Sequence, residues 1–283
     1  MKIYDRHTRT YKEAEQYGAG KLAFLYGNPF GRLLLKIAIS PFVSRIYGKM
    51  RSTRSSALKI PQFIVDHDID ISEYEEKDYT SFNDFFCRRF REGVRPVGDG
   101  LISPADSKLL VYDIKPDTGL LIKGRDYLLS EITGMDEGAL KEFAGGKALV
   151  FRLCMDDCHR YCFPASGNIT GRYFIKGRLH TVSPISSAHK IYSENTRCVS
   201  FMETEEFGKM CFIEVGAILV GKIVDGGKTS FRKGDEKGYF EIGGSTIVVL
   251  IRDGIKIDED IMEQSRMGIE TTVRYGERIG DNA

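Results

Sequence analysis

Over the first hundred residues the apolar positions fall in helix-length runs. The stretch Leu33-Leu34-Leu35-Lys36-Ile37-Ala38-Ile39 is apolar enough for a helix, which Pro41 should end or kink. Ser81 and Asp84 stand at capping-box spacing ahead of Phe82, Phe85, Phe86 and Phe90. That spacing predicts a helix with the four rings on one core-facing side and Arg88, Arg89 and Arg91 turned away. After Pro96 the rhythm shortens. Runs rich in β-branched and aromatic residues alternate with Gly, Asp and Asn turns at 109–114, 148–153, 171–175, 199–203, 212–215, 218–224, 239–242 and 246–251. Helical spacing returns most clearly at 128–140. Many short strands separated by turn residues predict a sandwich or a curled antiparallel sheet. The expected architecture is α+β: a helical N-terminal module over 1–100, then a mainly antiparallel, β-sandwich-like core over 101–283.

Composition adds one asymmetry. The chain of 283 residues has a net charge of +1, with 42% hydrophobic and 29% charged residues. That balance argues against bulk binding to nucleic acid. Between Tyr17 and Val65, however, there is no acid, while Lys21, Arg32, Lys36, Arg45, Lys49, Arg51, Arg54 and Lys59 are basic. Basic residues interleaved with apolar ones suit an anionic membrane face, with ordinary helix packing as the plain alternative. No apolar run of spanning length and no signal-peptide core occur, so a peripheral protein is expected. The six cysteines lack the density of a secreted scaffold, which favours a reduced, cytoplasmic setting.

The most informative stretch is Tyr239-Phe240-Glu241-Ile242-Gly243-Gly244-Ser245-Thr246-Ile247-Val248-Val249-Leu250. Two strand-like runs meet at Gly-Gly-Ser, which by itself is compatible with a bulge or a turn. It is not a nucleophile elbow, because Ile247 replaces the second glycine and a strand follows. Chemically, a serine after glycine can attack the preceding carbonyl, since no side chain shields that carbon. The resulting ester can eliminate the upstream chain as a carboxylate. The dehydroalanine left behind takes up water, releases ammonia and becomes a pyruvoyl group.

Gly-Tyr-Phe-x-x-Gly-Gly-Ser-Thr-Ile-Val resembles the processing site of bacterial, pyruvoyl-dependent phosphatidylserine decarboxylase proenzymes, closest to the clostridial type. Further similar elements lie in order: Phe85-Phe86-Cys87-Arg88-Arg89, Ser103-Pro104-Ala105-Asp106, Asp157-Cys158-His159-Arg160-Tyr161, His180-Thr181-Val182-Ser183-Pro184, and Val215-Gly216-Ala217-x-x-Val220-Gly221. The resemblance covers nearly the whole chain. It implies self-cleavage between Gly244 and Ser245 into a β chain of 1–244 and an α chain of 245–283, which stay associated. It also implies conversion of phosphatidylserine to phosphatidylethanolamine and CO2 in phospholipid biosynthesis. A Schiff base between the substrate amine and the pyruvoyl carbonyl, made from Ser245, would take up the carbanion's electrons. The cytoplasmic face of the cell membrane is the implied location, and a homodimer is left open.

The resemblance assigns an Asp106–His159–Ser245 relay for cleavage. On its own, an Asp after Ser-Pro-x is usually a turn or capping residue, and an isolated His is usually structural. Imidazole suits the base role because it takes and returns a proton near neutrality. Ser107 stands where the family commonly has Gly. Cys162 stands where many members carry a second histidine, so His159 serves both steps or His180 contributes. Cys154, Cys158 and Cys162 are not spaced as a zinc motif; alternation would place them on one strand face as small buried side chains, and no metal is expected. Two other classes fit parts of the pattern. One is a serine hydrolase using Asp106, His159 and Ser245 without cleavage; the other is a non-enzymatic membrane-binding module.

Overall fold

The computed structural model describes residues 2–13, 19–122, 124–181, 189–218, 222–243 and 245–283. The chain starts as a hairpin, Lys2–Asp5 and Thr10–Glu13, turned tightly by Asp5 Oδ1, which accepts from the His7 and Thr8 amides. The first hundred residues are therefore not helical throughout. Helices follow at Ala19–Gly27, Pro29–Ala38 and Pro41–Arg51. Asn28 and Ser40 cap the latter two by accepting from the Phe30 and Phe42 amides, and each helix has proline in its first turn, where no amide bond is lost. Pro41 thus opens a helix just after the one it was expected to end. No helix among the described residues is long and apolar enough to cross a membrane.

Helices Ile60–Asp66 and Phe82–Phe86 build a small apolar cluster of Ile60, Phe63, Phe82, Phe85, Phe86 and Ile242. Ile242 ties this helical layer to the Gly-Gly-Ser segment. The helix stops at Phe86, so Phe90 leaves its face and stacks on Tyr74 at 5.1 Å, while Arg88 is buried rather than turned outward. Residues 128–140 form two short helices, Leu129–Thr133 and Glu137–Leu140, interrupted by Gly134 at φ 74°.

The β-sandwich expected from the strand pattern does not form. The main element is a single ten-stranded mixed sheet. Its order is Ser230–Phe231, Gly167–Ile175, Arg197–Thr204, Gly208–Gly216, Ser245–Ile251, Lys147–Leu153, Ser107–Asp113, Glu270–Val273, Lys2–Asp5 and Thr10–Glu13. Neighbours pair antiparallel except Lys2–Asp5, which runs parallel to Glu270–Val273 with Ile3 opposite Glu270. Every residue of Ser245–Ile251 is buried, so this inner strand lacks the in–out alternation of a sandwich strand with one solvated face. Helix Glu259–Arg266 packs on Ser107–Asp113, where Ser265 Oγ accepts the Val111 amide. A separate three-stranded sheet, Ile223–Asp225, Glu236–Phe240 and Arg160–Cys162, carries the approach to Ser245 beside the segment holding His159.

Candidate active site

Ser245 is the first residue of the central strand, opposite Gly216 on one side and Leu153 on the other. It is fully buried and its Oγ has no hydrogen-bond partner among the described residues. A buried hydroxyl left unpaired costs about 1–3 kcal/mol, so it calls for a reason. Thr246 Oγ1 is equally unpaired, so the orphan alone does not single out Ser245. The approach to it does. Gly243 has φ 136°, a conformation that favours glycine, and the Ile242 amide is held by Asn83 Oδ1 at 3.0 Å. Gly244 lies outside the described residues.

His159 is also fully buried, its ring packed on Phe86 at 4.0 Å. Its Nδ1 lies 3.0 Å from the Asp157 carbonyl oxygen. A carbonyl can only accept, so Nδ1 carries the proton and Nε2 presents its lone pair. Nε2 is buried without a well-formed hydrogen bond among the described residues. The His159 pKa falls to about 3, chiefly through burial; the Asp157 and Gly243 backbone opposes that fall and the Arg88 charge adds to it. The ring is therefore neutral, with a free lone pair, beside a residue two positions before Ser245.

Asp106 is engaged by other partners. Its two oxygens take Arg95 at 3.1 and 2.8 Å, and Oδ1 accepts the Tyr275 amide at 2.7 Å. Arg95 also holds Glu73 at 3.1 and 2.8 Å. No hydrogen bond joins Asp106 to His159 among the described residues. The structure thus brings His159 to the Ser245 segment and leaves Asp106 in an ion network. Cys162 packs on the Asp106 side: its amide donates to the Pro104 carbonyl at 2.9 Å. Burial pushes its thiol up to about 12, so it is not a basic replacement for a histidine.

Several supporting groups leave no mark on the pattern of residue types. The Asp157 carbonyl orients His159, while the Asp157 carboxylate is fixed by Lys108 at 2.9 Å and the Cys154 amide at 2.7 Å. Main-chain roles leave no trace in residue identity. Lys237 is buried between Glu214 and Asp225, the latter at 2.9 Å, and joins the small sheet to the strand beside Ser245. The cysteines also fall differently from expectation. Cys154 follows one strand and Cys162 ends another, with a turn carrying Cys158 between them, so they do not share a strand face.

Among the described residues, two groups gather metal-type ligands: His180, His189 and Glu194, and Cys198, Glu214 and Asp225. In the first, the two imidazoles stack at 3.9 Å and 20°, so their in-plane lone pairs do not converge on one point. In the second, Lys237 already occupies the space between the carboxylates. His180 is held through its backbone by Asn195 and meets the Tyr26 hydroxyl at Nδ1, 3.2 Å away. Burial, followed by the neighbouring His189, lowers its pKa to about 4. Residues 182–184 and 220–221 of the corresponding motifs lie outside the described residues.

A family profile for phosphatidylserine decarboxylase matches residues 82–281. The chain is 49% identical over 285 residues to phosphatidylserine decarboxylase proenzyme 2 of Clostridium acetobutylicum, covering 99% of this chain and 98% of that one. It is 39% identical over 292 residues to the phosphatidylserine decarboxylase proenzyme of Clostridium botulinum strain Alaska E43, with 99% and 98% covered. The corresponding proenzyme of Fusobacterium nucleatum is 38% identical over 293 residues, with 99% and 97% covered.

Proposed function

The chain belongs to the phosphatidylserine decarboxylase family, and on that premise we propose that Ser245 is the source of its pyruvoyl group and His159 the base that activates it. The activity follows from membership: the chain is a carboxy-lyase that converts phosphatidylserine to phosphatidylethanolamine and CO2 with a self-made pyruvoyl group. When formed, that group supplies the carbonyl that draws electrons from the substrate's Cα. A hydrolase that leaves its backbone intact, or a module without activity, is set aside on the same ground.

The observation that supports the residue assignment is the presence of two orphaned atoms on neighbouring segments. Ser245 Oγ and His159 Nε2 are both buried without a well-formed hydrogen bond among the described residues, and the His159 ring lies against Gly243. Nε2 takes the Oγ proton as Oγ attacks the Gly244 carbonyl carbon, and the acyl group moves from nitrogen to oxygen. Loss of the Ser245 α-proton then expels Gly244 as a carboxylate. Water replaces the nitrogen, which leaves as ammonia. Asp106 serves this relay once Arg95 releases it. The division into 1–244 and 245–283, within an N-terminal module and a β-rich core meeting near residue 100, belongs to the same proposal. The intact denatured mass of purified protein tests it: two chains meeting at 244/245 support it, and an active enzyme consisting only of uncut chain overturns it.

The partner surface is an anionic membrane at the cytoplasmic face. Helices Pro29–Ala38 and Pro41–Arg51 bury Gly31, Leu35, Ser44 and Gly48 against the protein. Phe30, Ile37, Phe42 and Met50 are exposed, Phe30 by 63% and Phe42 by 65%. Arg32, Lys36, Arg45 and Lys49 are exposed among them. Apolar side chains flanked by cations suit the headgroup layer, where the substrate resides, better than nucleic acid. Whether two copies associate there is read from the mass of the vesicle-free enzyme in solution.

A further inference from the structure

A cleft of about 540 Å³ opens beside the Gly-Gly-Ser segment, lined in part by Lys77, Asn83, Arg88, Arg89, Arg160 and Tyr239. Most of its cations are neutralised. Arg89 and Arg160 pair with Glu236 at 2.9 and 2.8 Å, and Lys77 pairs with Asp84 at 2.6 Å. Arg88 is different. It is 1% exposed, and its guanidinium donates from Nη2 to the Asp156 carbonyl at 2.6 Å. Nε and Nη1 are buried without an acceptor, and no carboxylate pairs with Arg88 among the described residues. Tyr74 and Phe85 lie 4.5 and 4.9 Å from the guanidinium carbon. Their electron-rich faces favour the charge, and the Tyr74 hydroxyl also interacts with the Arg88 guanidinium, but neither ring closes a well-formed hydrogen bond to Nε or Nη1.

A buried guanidinium with unmet donors is costly to keep and strongly favours an incoming oxyanion. Its position indicates which one. Arg88 accepts the Cys158 thiol at its own carbonyl, and its charge acts on the adjacent His159 ring. Phe86, two residues earlier, is the ring packed on His159. Arg88 therefore stands on the wall of the proposed reaction centre.

We infer that Arg88 binds the phosphodiester of the substrate headgroup, entering through this cleft. The inference rests on the proposal that Ser245 and His159 mark the reaction centre. Phosphatidylserine carries two anions, and their fates differ. A salt bridge to the carboxylate would stabilise the ground state and oppose loss of CO2, because the charge leaves that group in the transition state. The phosphodiester keeps its charge from substrate to product, so a guanidinium can hold it throughout without slowing the chemistry.

Uniform binding of this kind appears in KM and not in kcat. The test begins with the intact mass of Arg88→Gln, which should show the pyruvoyl-bearing α chain. Failure of the wild type to show that chain would sink the Ser245 assignment itself, separately from Arg88. On phosphatidylserine in mixed micelles, processed Arg88→Gln should raise KM about 10- to 100-fold with kcat nearly unchanged, and Arg88→Lys should recover part of the loss. A second arm uses the wild type, in case the variant does not fold. Glycerophosphoethanolamine has the phosphodiester but no carboxylate and no acyl chains, and it should compete with phosphatidylserine. An unchanged KM in processed Arg88→Gln overturns the inference. So does absence of competition in the wild type, or equal competition in both proteins.

Discussion

His159 donates its Nδ1 proton to the carbonyl oxygen of Asp157, 3.0 Å away, and that bond leaves Nε2 as the only basic atom of the ring. Because the acceptor is main chain, the tautomer is fixed without a carboxylate contact. The environment then keeps the ring neutral, with burial as the dominant cause and a pKa of about 3.

The first prediction follows from that shift and concerns pH. A folded pKa of about 3 against an ordinary 6.5 means the unfolded chain binds more protons between those values. His159 thus leaves stability undiminished above pH 6.5 and subtracts from it as pH falls through the window down to about 3. The slope is about 1.4 kcal/mol per pH unit. Urea melts of uncut Ser245→Ala protein should show this loss, and adding His159→Gln should remove the His159 share of the slope, leaving the similar share of His180 between pH 6.5 and about 4. The self-cleavage rate should not fall through the 6–7 region where a free imidazole titrates. A sigmoidal fall there would show that the base is an unburied histidine.

Asp106 and Arg95 supply the second. Both side chains are largely buried, 14% and 8% exposed, and removing either partner should cost about 3–5 kcal/mol. Cleavage separates the relay from simple anchoring. Asp106→Asn should leave the precursor uncut, whereas Arg95→Met, which frees the carboxylate, should still cut. If both variants cleave at the same reduced rate, Asp106 is only a structural anchor.

The buried Lys237 gives the third. Burial alone would lower its pKa, but the Glu214 and Asp225 carboxylates outweigh burial and raise it. Lys237→Met strands Glu214 in the core and should destabilise the protein by about 3–5 kcal/mol. The double variant Lys237→Met/Glu214→Gln should recover a good part of that, as read by denaturant titration in the uncut Ser245→Ala background. Equal stability of the single and double variants would show that the pair is not coupled.

These residues also show what the sequence made legible. The strands at Lys147–Leu153, Arg197–Thr204 and Ser245–Ile251 were evident because β-branched runs bounded by turn residues report local conformation. Their pairing was not evident. Ile3 finds Glu270 at the far end of the chain, and that parallel contact makes the sheet mixed. Within the site, the chemistry of Gly-Gly-Ser and the presence of His159 could be read from residue types. The Asp157 carbonyl could not, and neither could the ion pair between Asp106 and Arg95. Arg88 was misplaced because a helical period was extended past Phe86, where the helix ends.

The membrane surface yields the fourth prediction. Vesicles containing anionic lipid should bind the wild type, and added salt should weaken that binding by screening exposed charges. Replacing Arg32, Lys36, Arg45 and Lys49 by Gln should reduce co-sedimentation while leaving self-cleavage intact, because these side chains are exposed and take no part in the buried cluster that holds Ile242. Undiminished binding by that variant would assign the basic helices to folding or to another partner.

The fifth prediction is covalent and turns on one oxygen. Ser245→Ala removes the Oγ that attacks Gly244, so the chain should stay uncut and inactive while its central strand keeps its pairing with Gly216 and Leu153. Ser245→Cys retains a nucleophile capable of the same acyl shift, though its pKa and leaving-group strength differ, so it should cut more slowly. In the wild type the α chain should resist Edman degradation, since a pyruvoyl terminus has no amine. Borohydride alone should add hydrogen to its carbonyl. Borohydride with serine should instead fix the amine to the α chain, giving an adduct that the Ser245→Ala protein cannot form. An α chain beginning with free serine would mean the peptide bond was hydrolysed rather than eliminated. That outcome would separate cleavage from cofactor formation and leave Ser245 as a mere cut site.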